Sequence, residues 1–124
     1  MMKRIVTVLS AALLLAISPH SPVFTQSDAT AGITVRAGEE FFIALKSTPS
    51  TGYAWAANGG DPKILAYEGN VMQNPDANVP GAPGQQIFIY HANRTGTTQI
   101  TLTYARPFDT SAPGQTLVFS VTVQ

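Results

Sequence analysis

The chain has 124 residues, 44% of them hydrophobic and 11% charged, with seven basic and seven acidic side chains and no cysteine. That length supports one hydrophobic core and not two, and the missing cysteines exclude disulfides, thiolate nucleophiles, thiolate metal sites and a lipid-anchored cysteine. The cations beyond residue 30, Arg36, Lys46, Lys63, Arg94 and Arg106, are scattered along the chain, so the basic cluster of a nucleic-acid partner is missing.

The first element in chain order is a leader. Lys3 and Arg4 precede an apolar run over residues 5–17, and a stretch rich in Pro, Ser and Thr follows over 18–30, the layout of a secretory signal peptide. A membrane anchor is the alternative, but the run is shorter than the roughly 20 apolar residues that cross a bilayer. Thr25 and Ser27 are small residues two apart, which places cleavage after residue 27 and a mature domain over 28–124. The domain is then exported, periplasmic or secreted, with no membrane association after leader removal, and it keeps five basic against seven acidic residues.

Beyond the leader the apolar residues repeat every second position, starting with Ile33 and Val35, then Phe41, Ile43 and Leu45. Segments 53–57, 65–72, 85–91, 99–105 and 116–123 are rich in β-branched and aromatic residues and read as further strands. Ile87 and Ile89 oppose Phe88 and Tyr90, so both faces of that strand carry apolar side chains. Turn-forming clusters fall at 36–39, 47–52, 58–62, 74–84, 93–97 and 107–114. No stretch reads as a long amphipathic helix. The fold class is all-β, an immunoglobulin-like antiparallel β-sandwich of about seven strands, held by packing because the usual cysteine pair is absent.

Catalytic chemistry finds little support. His91 is the only histidine beyond the leader, so no histidine-based metal centre can be built. Asp61, Glu68, Asp76 and Asp109 fall in four different segments, with no spacing that assembles an acid and a base. Ser50 lacks the Gly-x-Ser-x-Gly setting of a nucleophile elbow. The residues therefore predict no enzyme, no cofactor and no metal. Trp55 and Tyr104 lie inside predicted strands and read as core, where a sandwich needs large inward side chains.

Three segments stand out instead. The first is TPSTGYAW over 48–55: Pro49 fixes its own φ and holds Thr48 extended, while Gly52 can take positive φ and turn the chain back. Alone it is an ordinary Pro-Gly turn. The second is GAPG over 81–84, ahead of Phe88, and the third is TYARPF over 103–108. In this order the three resemble the chagasin-type inhibitors of cysteine peptidases, whose motifs read Asn-Pro-Ser/Thr-Thr-Gly-Tyr/Phe-x-Trp, Gly-x-Gly-Gly and Tyr-x-Arg-Pro-Trp/Phe. The likeness covers nearly all of the chain past the leader. Thr48 stands in place of the family's Asn, Pro83 in place of a glycine, and Phe108 where many relatives carry Trp.

The resemblance implies an immunoglobulin-like fold whose three loops enter a papain-like cysteine peptidase as a wedge, reversibly and without a covalent bond. The contact residues it implies are Thr48, Pro49, Ser50, Thr51, Gly52 and Tyr53 in the first loop; Gly81, Ala82, Pro83 and Gly84 in the second; and Arg106, Pro107 and Phe108 in the third. Ser50 would lie nearest the catalytic cysteine, and Phe108 along the cleft wall. The partner is a peptidase of the cell itself or of a host, and the inhibitor acts as a monomer. The alternative reading is an exported immunoglobulin-like adhesion or accessory domain that binds through the same end and inhibits nothing.

Overall fold

The computed structural model describes residues 21–73, 83–109 and 114–124; the leader run over 5–17 and the Gly81 and Ala82 positions lie outside them. Among the described residues eight strands follow one another: β1 (Val23–Phe24), β2 (Ile33–Val35), β3 (Glu40–Ser47), β4 (Ala54–Gly59), β5 (Leu65–Gln73), β6 (Gly84–Ala92), β7 (Gly96–Ala105) and β8 (Gln115–Val123). They form two four-stranded sheets, ordered β1-β3-β6-β5 and β2-β8-β7-β4. The all-β sandwich expected from the period of two is the observed architecture.

The same period explains the core. On β3, Phe41, Ile43 and Leu45 point inward and pair with Tyr90, Phe88 and Gln86 of β6. From the second sheet Ile100 and Leu102 on β7 and Phe119 and Val121 on β8 meet them, all fully buried. Phe41 stacks on Tyr90 with ring centroids 5.6 Å apart. Each such side chain contributes roughly 1.5–3 kcal/mol through burial, which replaces the missing disulfide. Ile87 and Ile89 alternate to the outer face, where they line a shallow apolar groove with Val23, Phe42 and Val71.

The amino-terminal segment differs from the sequence reading. Val23 and Phe24 run parallel to Phe42 and Ile43, Phe42 N–H donates to the Pro22 carbonyl at 3.0 Å, and the Phe24 ring meets Phe41 edge-on at 5.9 Å. A four-residue helix, α1 (Asp28–Ala31), then carries the chain to the other sheet, where β2 runs parallel to β8. A domain boundary after residue 27 would therefore remove a strand that packs on the core. Two residues are too few for a periodic pattern, which is why the sequence read about seven strands. The four remaining pairings are antiparallel.

The registers gather one set of loops at one end. Ser47 at the end of β3 pairs with Gly84 at the start of β6, Gln85 pairs with Gln73 at the end of β5, and Ala54 at the start of β4 pairs with Ala105 at the end of β7. The chain between β3 and β4 crosses from one sheet to the other at that end.

Candidate functional site

The crossing segment over 48–53 is a compact turn. Pro49, Ser50 and Thr51 form one turn of 3-10 helix with Pro49 at its first position, where a missing N–H costs nothing. Thr51 N–H donates to the Thr48 carbonyl at 3.1 Å and Gly52 N–H to the Pro49 carbonyl at 2.9 Å. The Thr51 hydroxyl donates to the same Thr48 carbonyl at 2.7 Å and accepts from Tyr53 N–H at 3.3 Å. Gly52 closes the turn at φ +84°, a left-handed conformation that a side chain disfavours. Pro49, Ser50 and Thr51 are exposed, and the Ser50 hydroxyl makes no hydrogen bond among the described residues.

The third segment leans on the first. Arg106 donates from Nε to the Thr51 carbonyl at 3.0 Å, and its guanidinium carbon sits 4.8 Å from the centre of the Tyr53 ring. Tyr53 stacks on Tyr104 at 5.2 Å, and the Tyr104 ring lies tilted against Trp55 at 4.8 Å. The result is a four-layer column from a surface cation to a core indole. It combines cation–π and aromatic contacts, each worth roughly 0.5–1.5 kcal/mol. The Tyr104 hydroxyl also accepts from Thr48 N–H at 3.1 Å. Phe108 is 78% exposed, yet its ring edge lies where a Cβ on Gly52 would come within 3.0 Å. Gly52 is thus favoured for its φ, and a Cβ there would press on the Phe108 ring.

The column is anchored below the loops. Trp55 is 5% exposed, and its indole Nε1 donates to the Lys46 carbonyl at 3.0 Å, at the other stem of the first loop. Its main-chain N–H donates to Gln86 Oε1 at 2.9 Å, and its carbonyl accepts from Gln86 Nε2 at 2.9 Å.

The structure thus brings residues 48–53 and 106–108 into one interlocked surface. Pro83 is exposed beside it. Gly84, read from the sequence as a displayed loop residue, is instead the buried first residue of β6, because its pairing with Ser47 continues the β3–β6 ladder to its end. Tyr53 and Arg106 face each other, so Arg106 Nε is used inside the molecule. Gln86, the Lys46 carbonyl and the Tyr104 hydroxyl were missed as parts of the site. For Gln86 a signal existed: it has the same parity as Phe88 and Tyr90, so a polar side chain had to point into the core and find partners there.

A sandwich presenting interlocked loops at one end has the form of a binding protein. The chain belongs to the Chagasin family peptidase inhibitor I42 family, whose model matches residues 34–123; family members inhibit peptidases and are not enzymes. It is 34% identical to Chagasin of Trypanosoma cruzi over 88 residues, 68% of this chain and 80% of that protein. Its fold is similar to the crystal structure of the cysteine protease inhibitor EhICP2 from Entamoeba histolytica, with a TM-score of 0.70 and 23% identity, covering 86% of this chain and 100% of the other. It is also similar to PbICP-C, solved in complex with falcipain-2, with a TM-score of 0.61 and 19% identity, covering 90% and 96%.

Proposed function

We propose that this domain inhibits papain-like cysteine peptidases by placing the 48–53 turn over the catalytic cysteine, with Ser50 and Thr51 at the tip and Phe108 along one wall of the cleft. Family membership supports the class of target, as does the complex of PbICP-C with falcipain-2. The observation that carries the geometry is the interlock: Arg106 holds the Thr51 carbonyl, and Phe108 rests against Gly52.

The same interlock would oppose cleavage of the turn. A peptidase takes its substrate as an extended strand, and attack needs a carbonyl free to enter the oxyanion site in near-attack geometry. Here the backbone is wound into a 3-10 turn, and the carbonyls of Thr48, Pro49 and Thr51 are already engaged. Straightening the turn would break those bonds before any chemistry began. Inhibition is then reversible and leaves both proteins intact.

Pro83 completes the wedge on the side of β6, with Gly84 as its buried stem. The leader reading, carried by Lys3, Arg4 and the apolar run over 5–17, supports an inhibitor acting outside the cytoplasm, in the periplasm or secreted, on a peptidase of the cell or of a host; it acts there as a monomer. The test is titration of papain and a cathepsin L-like enzyme with the domain over residues 21–124. Stoichiometric, reversible loss of activity is expected; full activity of several such enzymes at micromolar inhibitor would refute the reading.

A further inference from the structure

Trp55 lies on β4, an edge strand of its sheet. A main-chain N–H and C=O of an edge strand that point away from the neighbouring strand must find other partners or stay unpaired. Both of these groups of Trp55 are buried, and both are taken by one side chain from the opposite sheet. Gln86, 6% exposed, accepts from Trp55 N–H and donates to the Trp55 carbonyl, each at 2.9 Å. Its second amide hydrogen goes to Asn70 Oδ1 at 3.1 Å, and Asn70 Nδ2 donates in turn to the Tyr67 hydroxyl at 2.9 Å. The amide of Gln86 thus acts as a one-residue strand joining β6 to β4.

Its location gives this clamp a meaning beyond stability. Gln86 pairs with Leu45 in the ladder, next to Lys46, whose carbonyl receives the Trp55 indole. Trp55 is consequently fixed by three hydrogen bonds to the sheet from which the 48–53 turn departs. The Tyr104, Tyr53 and Arg106 layers are stacked above it. Fixing both stems of a loop before binding removes the ordering cost that association would otherwise meet.

We propose that Gln86 is a positioning residue for inhibition: by pairing with both main-chain groups of Trp55 it sets the 48–53 turn in its binding geometry while touching no peptidase. This rests on the inhibitory reading above. The amide is needed because it presents one donor and one acceptor side by side. A carboxylate of the same shape offers only acceptors and would face the Trp55 carbonyl and Asn70 Oδ1, whereas a protonated carboxyl restores the donor–acceptor pair.

The experiment compares the inhibition constants of wild type, Gln86→Leu, Gln86→Glu and Val35→Ala against papain, each at a temperature where thermal scans show the protein folded. Val35 is buried where β2 meets the end of β8 farthest from the loops, so it controls for lost stability alone. Gln86→Leu should weaken inhibition about tenfold at every pH, the scale of one lost preorganising contact, with Val35→Ala near wild type. Gln86→Glu should match Gln86→Leu at neutral pH. Burial against two acceptors raises the pKa of that carboxyl, so its ratio to wild type should recover as pH falls and the acid form returns. Equal constants for wild type and Gln86→Leu, an equal loss in Val35→Ala, or a pH-independent ratio for Gln86→Glu would overturn the proposal.

If wild type fails to inhibit, the inhibitory reading falls, and amide hydrogen exchange still decides the positioning role. Thr51 and Gly52 amides should exchange faster in Gln86→Leu than in wild type, while Gly38, bonded to the Ala92 carbonyl at the far end, is unchanged. Unchanged Thr51 and Gly52 rates would overturn it.

Discussion

The two ends of the sandwich are closed in different ways. At the end away from the loops, turns are sewn mainly by main-chain bonds and by side chains reaching two or three residues along the chain, with one longer side-chain bond from Asp61 N–H to Thr98 Oγ1 at 2.8 Å. Arg36 N–H donates to Glu39 Oε1 and Lys63 N–H to Asp61 Oδ1, while Gly38 and Ala92 are held by backbone partners. At the loop end the decisive bonds span 31, 55 and 56 residues of sequence, through Gln86, Arg106 and Tyr104. One end is closed mostly by main-chain bonds, and the other is a surface whose shape depends on several distant side chains. Damage at the first should cost stability; damage at the second should cost inhibition.

The sharpest way to break that division is at the amino terminus. A domain starting at Asp28 loses β1, the Phe24–Phe41 contact and the Thr25 bond to Asp28. Half-buried Phe24 with its ladder bonds should be worth about 2 kcal/mol of stability, read by urea unfolding against residues 21–124. The inhibition constant should stay unchanged, because β1 pairs with β3 at Phe42 and Ile43, away from the loop stem at Ser47.

Phe108→Ala tests the reverse. The ring is exposed, so its loss should shift the melting temperature little, while inhibition weakens by more than about 1 kcal/mol, as for a central apolar anchor. A large fall in melting temperature with unchanged inhibition would make Phe108 part of the fold instead.

The smallest effect is electrostatic and confined to the far end. A hydrogen bond with Glu68, then desolvation and the Glu68 charge, raise the Glu40 pKa, while His91 lowers it. A carboxyl whose folded pKa is raised stabilises below its unfolded value and loses that contribution as pH rises through the folded pKa. Glu68→Gln should therefore flatten a shallow decline in stability on the alkaline side of the carboxylate range, measured by melting temperature against pH, without altering inhibition.

The sequence made the strands legible because one face of each is buried, which imprints a period of two on Phe41, Ile43 and Leu45 or on Phe119, Val121 and Val123. The three motif segments were legible because turn geometry demands Pro49 and Gly52, and because their order matched a family. Val23 and Phe24 were hidden because two residues carry no period and lie beside a leader-like run. The double use of Arg106 and the clamp by Gln86 were hidden for another reason: both are contacts between residues far apart in the chain, whose partners are main-chain groups that any sequence possesses. Gly84 read as loop because composition cannot show where a ladder stops.

The central claim is that one end of the sandwich occupies the peptidase's catalytic cleft. Calorimetric binding of the domain to papain, with its catalytic cysteine free and then capped by a bulky alkylating group, tests it most directly. The account predicts tight one-to-one binding to the free enzyme and a marked loss of affinity to the capped one; equal binding to both would contradict it.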